Sequence, residues 1–320
     1  MRKLLLLVFL ASFPGISAWA GNLESSDSTN AKPWSYKGQY SLIMNQMSFS
    51  HWATGGESSI AGRATVDYHL KYHKRKFTFE HEAHLAYGIA GYIKKDIEKT
   101  DDKLDVSFSA GRKISKKWSF TGMTIFKSQF AKGYNYPNDS DLVSAFMSPA
   151  YFTISAGFNF NPNKNFQMFL SPVAGKMTFV LNQNLANQGA YGVTKAVYDS
   201  LGNMISPGKN YLGLLGINIL CSYKTKLMKN VHYKTNLNLY NNYLEPETDM
   251  RWQMDVDWEN NFTFKINQYM ATVLFFQFKY DPKVLFPEYQ LIDGISTLTA
   301  QHTALQFKES LGIGLTYKIK

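Results

Sequence analysis

The chain has 320 residues, a formal net charge of +10 and a single cysteine, Cys221, so an internal disulfide is excluded. Mean hydropathy is −0.26, and beyond Leu4–Leu10 no stretch approaches the roughly 18 apolar residues that a helical membrane span requires. Aromatic residues nevertheless make up 15% of the chain, a composition suited to rings placed at a membrane–water boundary.

In chain order, Arg2 and Lys3 precede the apolar run, and Ala18-Trp19-Ala20 offers small residues for cleavage. This pattern is that of a secretory signal peptide over residues 1–20, and the run is too short for a spanning helix. No cysteine lies near the cleavage position, which argues against a lipoprotein anchor. Residues 21–33 are polar and read as a periplasmic lead-in. Residues 34–320 show no break in composition, so one barrel domain is expected there.

From Ile60 to Tyr72 the chain alternates: Ile60, Val66, Tyr68, Leu70 and Tyr72 share one parity, and Arg63, Thr65, Asp67, His69 and Lys71 share the other. A period of two means a strand with one apolar and one wet face. Its length suits a tilted bilayer-spanning strand of about ten residues. Twelve such strands are predicted, near 36–50, 60–72, 76–90, 104–110, 118–126, 150–160, 166–170, 215–223, 231–239, 252–259, 269–280 and 305–319. A parity shift at Met47 and Phe49 predicts a bulge in the first, and Pro172 is expected to bend or end the seventh.

The predicted connections alternate in length, short near 73–76, 115–117, 161–165, 225–230 and 266–268, and long near 51–57, 90–103, 131–148, 181–209, 244–250 and 281–303. The expected fold is therefore an all-β, transmembrane, antiparallel up-and-down β-barrel of about twelve strands, with short periplasmic turns and long external loops. The short turns are basic, as at Lys74, Arg75, Lys76, Lys113, Lys116, Lys117, Lys226 and Lys229, whereas the long loops collect Asp101, Asp102, Asp139, Asp141, Glu245 and Glu247. A basic rim facing anionic phospholipid and a merely solubilising turn composition both fit that bias. A soluble lipocalin-like barrel or a sandwich would carry the same alternation turned inside out. The density of charge on the polar parity favours the membrane barrel.

Several stretches are distinctive: Phe49-Ser50-His51-Trp52-Ala53-Thr54-Gly55-Gly56-Glu57, Lys99-Thr100-Asp101-Asp102-Lys103-Leu104-Asp105 and Phe130 to Asp139. Phe169-Leu170-Ser171-Pro172-Val173-Ala174-Gly175-Lys176 and Leu305-Gln306-Phe307-Lys308-Glu309 join them. Together they resemble an uncharacterised domain-of-unknown-function family of Bacteroidota-type outer-membrane β-barrel proteins, over nearly all of the chain past the leader. The resemblance implies fold and location in the Gram-negative outer membrane, and it brings no established activity. The final Tyr317-Lys318-Ile319-Lys320 departs from the usual terminal aromatic, with Ile319 in the apolar slot.

Chemistry is sparse. His51 lies by Ser48 and Ser50, and His302 and His51 could face Asp293 and Glu57, but none has the context of a hydrolase, and no enzyme is expected. Gly55-Gly56 is not followed by a helix and is no phosphate loop, and Lys74-Arg75-Lys76 finds no nucleic acid outside the cell. Glu80, Glu82 and His84 share a face, yet residues two apart on a strand are about 7 Å apart, too far to share an ion without help from neighbours. Salt bridging with Arg63 and Lys71 is the expected role, and no metal or cofactor is predicted. The loop at 181–209, with Asn182, Gln183, Asn184, Asn187, Gln188 and Tyr191, is the leading functional candidate by its length and could fold into the mouth; its amide and aromatic side chains suit a sugar or peptide ligand and equally an ordinary exposed loop.

Two functions stay open. One is a porin-like pore or transport channel for small solutes lined by Arg63, Asp67, Lys71, Glu80, Glu82, His84, Asp255, Asp257 and Glu259. The other is a non-conducting structural, surface-binding or envelope-assembly barrel in which those charges pair and fill a modest lumen. Expected partners are outer-membrane lipid and lipopolysaccharide, the barrel assembly machinery and a small solute.

Overall fold

The alternating segments form β1 (Trp34–Met47), β2 (Ser59–Lys74), β3 (Phe77–Tyr92), β4 (Glu98–Lys113), β5 (Trp118–Ser128) and β6 (Ala150–Phe160). They continue as β7 (Phe166–Phe179), β8 (Tyr211–Met228), β9 (Val231–Asn242), β10 (Asp255–Lys265), β11 (Met270–Tyr280) and β12 (Gln306–Ile319). Each pairs antiparallel with the next, and β12 closes on β1, giving the expected twelve-stranded barrel. The structure, a computed structural model, describes residues 33–47, 59–92, 96–136, 138–244, 253–282, 284–292 and 295–319, without the side chains of 47, 285–299, 301 and 318. The leader and all of the lead-in except Pro33 lie outside the described residues, as do His51, Gly55-Gly56, Glu57 and Asp293.

The strand registers carry one parity inward around the whole ring. Arg63 stands opposite Gly88, Asp67 opposite His84, His69 opposite Glu82 and Lys71 opposite Glu80. The same face continues through Asp101 and Lys103 on β4, Lys127 on β5, Tyr151 on β6 and Lys176 on β7. It then passes Asn218 and Tyr240, reaches Asp255, Asp257 and Glu259 on β10, and goes on through Gln277 and Lys308. The circuit returns through Gly314 and Ile43 to Arg63.

The other parity points outward and is apolar. Trp34, Tyr40, Leu42 and Met44 on β1 and Leu311, Ile313, Leu315 and Tyr317 on β12 are all about half exposed. Outward rings pack beside one another: Trp34 lies 4.8 Å from Tyr72 and Trp118 4.6 Å from Phe160 at the short-turn end. Trp258, Phe278 and Phe307 form a second group toward the long loops. A continuous exposed apolar belt is what a bilayer stabilises and what a soluble monomer avoids. The soluble alternatives are thereby excluded.

Several segments refine or correct the sequence expectation. β4 begins at Glu98, so Asp101, Asp102 and Lys103 belong to a strand rather than to a loop over 90–103. Thr100 and Asp102 break the apolar parity of the sequence, and the register with β3 shifts at Gly88/Ile89, so Thr100 is an extra residue in a bulge; both features hid the strand. Of the two outcomes expected at Pro172, the bend is the one seen, and β7 runs on to Phe179. Its pairing with β6 and with β8 shifts register at Ala156/Phe158 and Gly216/Asn218, the signature of a bulge that takes a proline out of the ladder. Ser171 turns its hydroxyl onto the Ala156 and Val173 carbonyls at 2.9 and 2.7 Å, and a Cβ on Gly157 would strike the Leu170 carbonyl. Within the connection over 281–303, Leu285–Ile292 and Ile295–Thr303 form a hairpin. The bulge expected near Met47 does not appear within β1, whose register with β2 is unbroken, and Phe49 lies outside the described residues.

The connection over 180–210 has its own small core. Asn182 caps the short helix α1 (Gln183–Asn187) by accepting from the Leu185 amide at 3.2 Å. Val180, Leu185, Ala186 and Val193 are buried together, with Leu212 of β8 packed against them. Backbone and side-chain bonds tie this loop to the one before it, from Leu181 to Met147, from Asn182 to Ser148 and from Tyr191 to Val143.

Candidate functional site: the barrel lumen

Every residue singled out from the sequence as lumen-facing lies on the inward parity, and most have named partners. At the short-turn end Lys71 pairs with Glu80, His69 Nε2 approaches Glu82 Oε1 at 3.6 Å, and His84 Nδ1 lies 2.6 Å from Asp67 Oδ1. These groups are partly open to solvent, and the Glu82 side chain is 64% exposed. The expected Lys71 pairing is present. The expected pairing of Arg63 with the Glu80 group is not, because Arg63 bonds Asp101 instead.

That correction has a steric cause. Arg63 on β2 and Asp101 on β4 both stand opposite Gly88 on the strand between them. A Cβ on Gly88 would lie 2.8 Å from Thr100 Oγ1 and 3.1 Å from Asp101 Cβ. Its absence lets the two side chains meet over β3.

Toward the long loops the pairs cross the lumen. Lys103 Nζ on β4 lies 2.8 Å from Glu259 Oε1 on β10, six places away around the ring and therefore on the opposite wall. Lys308 on β12 reaches Asp101 at 3.3 Å, four places away, and Lys176 on β7 reaches Asp255 on β10 at 2.8 Å. Gln277 donates to Asp257 at 2.7 Å and toward Glu259 at 3.5 Å. Lys176 also lies over the rings of Tyr151 and Tyr240, at 5.7 and 5.1 Å from their centres. The result is a girdle of mixed charge spanning the barrel.

The lumenal placement of Lys103, Asp101, Lys176, Gln277 and Lys308 is not predicted from the sequence, which puts Asp101 and Lys103 in a loop. Their signal was the polar parity itself, which runs Asp101, Lys103, Asp105, Ser107, Ser109 along β4. Which wall each would reach depends on the ring order, and no spacing encodes that.

The long mouth loop presents a cleft of about 800 Å³ lined by Asn184, Asn187, Gln188, Lys195, Ala196, Val197 and Tyr198. Two of the amides noted in the sequence are structural: Asn182 is the helix cap, and Asn187 accepts from Gln183 at 2.8 Å and from the Gly208 amide at 2.9 Å. Burial pushes the Tyr191 phenol up to about 12. At the loop tip, hydrogen bonds from Asn203, Leu201 and Gly202 hold the Asp199 carboxyl below its ordinary range.

A closed antiparallel barrel with an apolar outer belt, a charged interior, short turns at one end and long loops at the other defines a transmembrane β-barrel of the outer-membrane type. Residues 44–134, from the end of β1 through β5 and just beyond, match a family described as "Protein of unknown function (DUF3078)", in keeping with the resemblance to an uncharacterised family. No curated protein matches the chain. Among solved structures it is similar to an outer membrane channel from Pseudomonas putida F1, at 10% identity over 92% of this chain and 99% of that one, TM-score 0.39. It is similar also to the NanC porin, at 8% identity over 88% and 100% of the two chains, TM-score 0.36. The translocator domain of autotransporter NalP from Neisseria meningitidis aligns at 8% identity over 90% of this chain and 89% of that one, TM-score 0.34.

Proposed function

We propose that the protein is a narrow outer-membrane channel for small hydrophilic solutes, exported by its N-terminal leader, with its short turns in the periplasm and its long loops outside the cell. The observation that carries this reading is the inward face, polar or charged for most of its circuit and bridged at one level by flexible side chains alone. A barrel filled for stability alone has no need of charge, because replacing buried ion pairs with apolar side chains is often neutral or stabilising. Mixed charge around water instead favours small polar and zwitterionic solutes over apolar ones. The Lys103–Glu259 bridge joins opposite walls of the lumen. Both side chains have long, rotatable stems, so the bridge can open without moving a strand.

The non-conducting alternative draws on the same bridge, which spans opposite walls. Swelling of liposomes containing the refolded barrel separates the two. The channel reading expects swelling with glycine and none with the trisaccharide raffinose. Absence of swelling with glycine in liposomes with proven insertion supports the non-conducting barrel.

A further inference from the structure

Near the short-turn end of the lumen, His69 on β2 stands directly opposite Glu82 on β3, and Glu80 lies one inward position nearer the turn. His69 Nε2 is itself buried and has no hydrogen-bond partner among the described residues, although it lies 3.6 Å from Glu82 Oε1. One imidazole nitrogen and one oxygen from each carboxylate all fall within 4.8 Å of one another. An imidazole nitrogen left without a partner beside two carboxylates is an arrangement that a cation completes.

We propose that His69, Glu80 and Glu82 form a binding site for a divalent transition-metal ion of the zinc class. The spacing suits this ion. Ligand atoms about 2.1 Å from a tetrahedral zinc lie about 3.4 Å apart. The His69–Glu82 separation of 3.6 Å is close to that value already. The widest gap, 4.8 Å at most, closes by a modest swing of a glutamate side chain. Two glutamates on one strand are too far apart to share an ion unaided, and the imidazole from the neighbouring strand supplies what they lack. The 64% exposed Glu82 side chain leaves room for water to take the remaining coordination positions.

The surrounding charge selects the class of ion. Lys71 pairs with Glu80, and Lys37 stands opposite His69 in the β1–β2 register. Two ammonium groups weaken any site that relies on charge alone, as calcium and magnesium sites do. An ion with strong affinity for imidazole nitrogen keeps more of its binding energy there. The site requires only the folded barrel and not conduction, so its test is independent of the channel reading.

The test is titration calorimetry of the full-length mature barrel, refolded in detergent without a polyhistidine tag, with zinc chloride and in parallel with calcium chloride. The expected result is a single zinc ion bound at micromolar affinity and no saturable calcium binding. His69→Ala and, separately, Glu82→Gln should each weaken zinc binding at least about tenfold, and Lys71→Met should tighten it several-fold by freeing Glu80. Folding of each variant is checked by its heat-dependent gel mobility, and the exposed Glu82→Gln change keeps the test open if His69→Ala does not fold. Zinc affinity unchanged in every folded variant, no zinc binding by the parent barrel, or calcium bound as tightly as zinc overturns the proposal.

Discussion

Lys103 Nζ and Glu259 Oε1 meet at 2.8 Å from strands on opposite sides of the twelve-membered ring. Two side chains thus meet across the lumen. Both are about three-quarters buried, so neither charge keeps a full water shell once the other is removed. Breaking such a pair on one side costs more than removing it altogether, because the survivor stays uncompensated.

The single variant Lys103→Met should therefore destabilise the barrel by about 1–3 kcal/mol, below the 3–5 kcal/mol of fully buried pairs because this one is partly wet. Lys103→Met with Glu259→Gln should recover most of that loss. Reversible urea unfolding in lipid vesicles measures it. Additive single and double effects would show that the two side chains do not interact.

Gly88→Val should cost about 1–3 kcal/mol, since the new side chain must displace Thr100 or Asp101 and part Arg63 from its carboxylate. Gly62→Ala is the control on the same hairpin, because its Cβ meets nothing within 4 Å and faces the outer side. Equal loss in both variants would remove the role assigned to Gly88.

The mouth loop should respond to high pH. The Tyr191 phenol, ordinarily 10.0, is pushed up to about 12 by burial, so its packing contributes fully below pH 10 and is lost as pH rises through 12. Amide exchange in residues 190–193 should accelerate across that window, and in Tyr191→Phe, which loses the bond to Val143, it should start faster and stay independent of pH-driven ionisation.

The loop tip should respond at the other extreme. The Asp199 carboxyl is held below its ordinary 3.8 by hydrogen bonds, so it orders the tip above that value and releases it as pH falls further. The amides of Leu201 and Asn203, which donate to Asp199 at 2.9 and 2.8 Å, should lose protection below pH 4. Asp199→Ala should show the same loss at neutral pH.

Much of the fold was legible because strand period and membrane burial act on the same residues. Ile60–Tyr72 alternates since each second side chain must suit lipid, and its twelvefold recurrence with turns of alternating length, together with the charge on the polar parity, points to a membrane barrel. The start of β4 was hidden because Asp102 is polar on the outward parity and Thr100 is an extra residue where the register with β3 shifts. Pro172 could be read as a bend or a stop, and only the space left by Gly157 decides for the bend. Inward polarity at Asp67, Lys71, Glu80 and Glu259 followed from parity. Their partners did not, because the Arg63–Asp101 and Lys103–Glu259 pairs depend on a missing side chain at Gly88 and on ring closure. The approach of His69 to the two glutamates is a matter of register between neighbouring strands, which parity leaves undetermined.

Single-channel recording in planar bilayers, comparing the parent barrel with the double variant Lys103→Met, Glu259→Gln, tests the channel account most directly. The bridge across the lumen predicts small, intermittent openings in the parent and a several-fold larger, steadier conductance in the variant. No channels in either protein, with insertion proven by heat-dependent gel mobility, would contradict it.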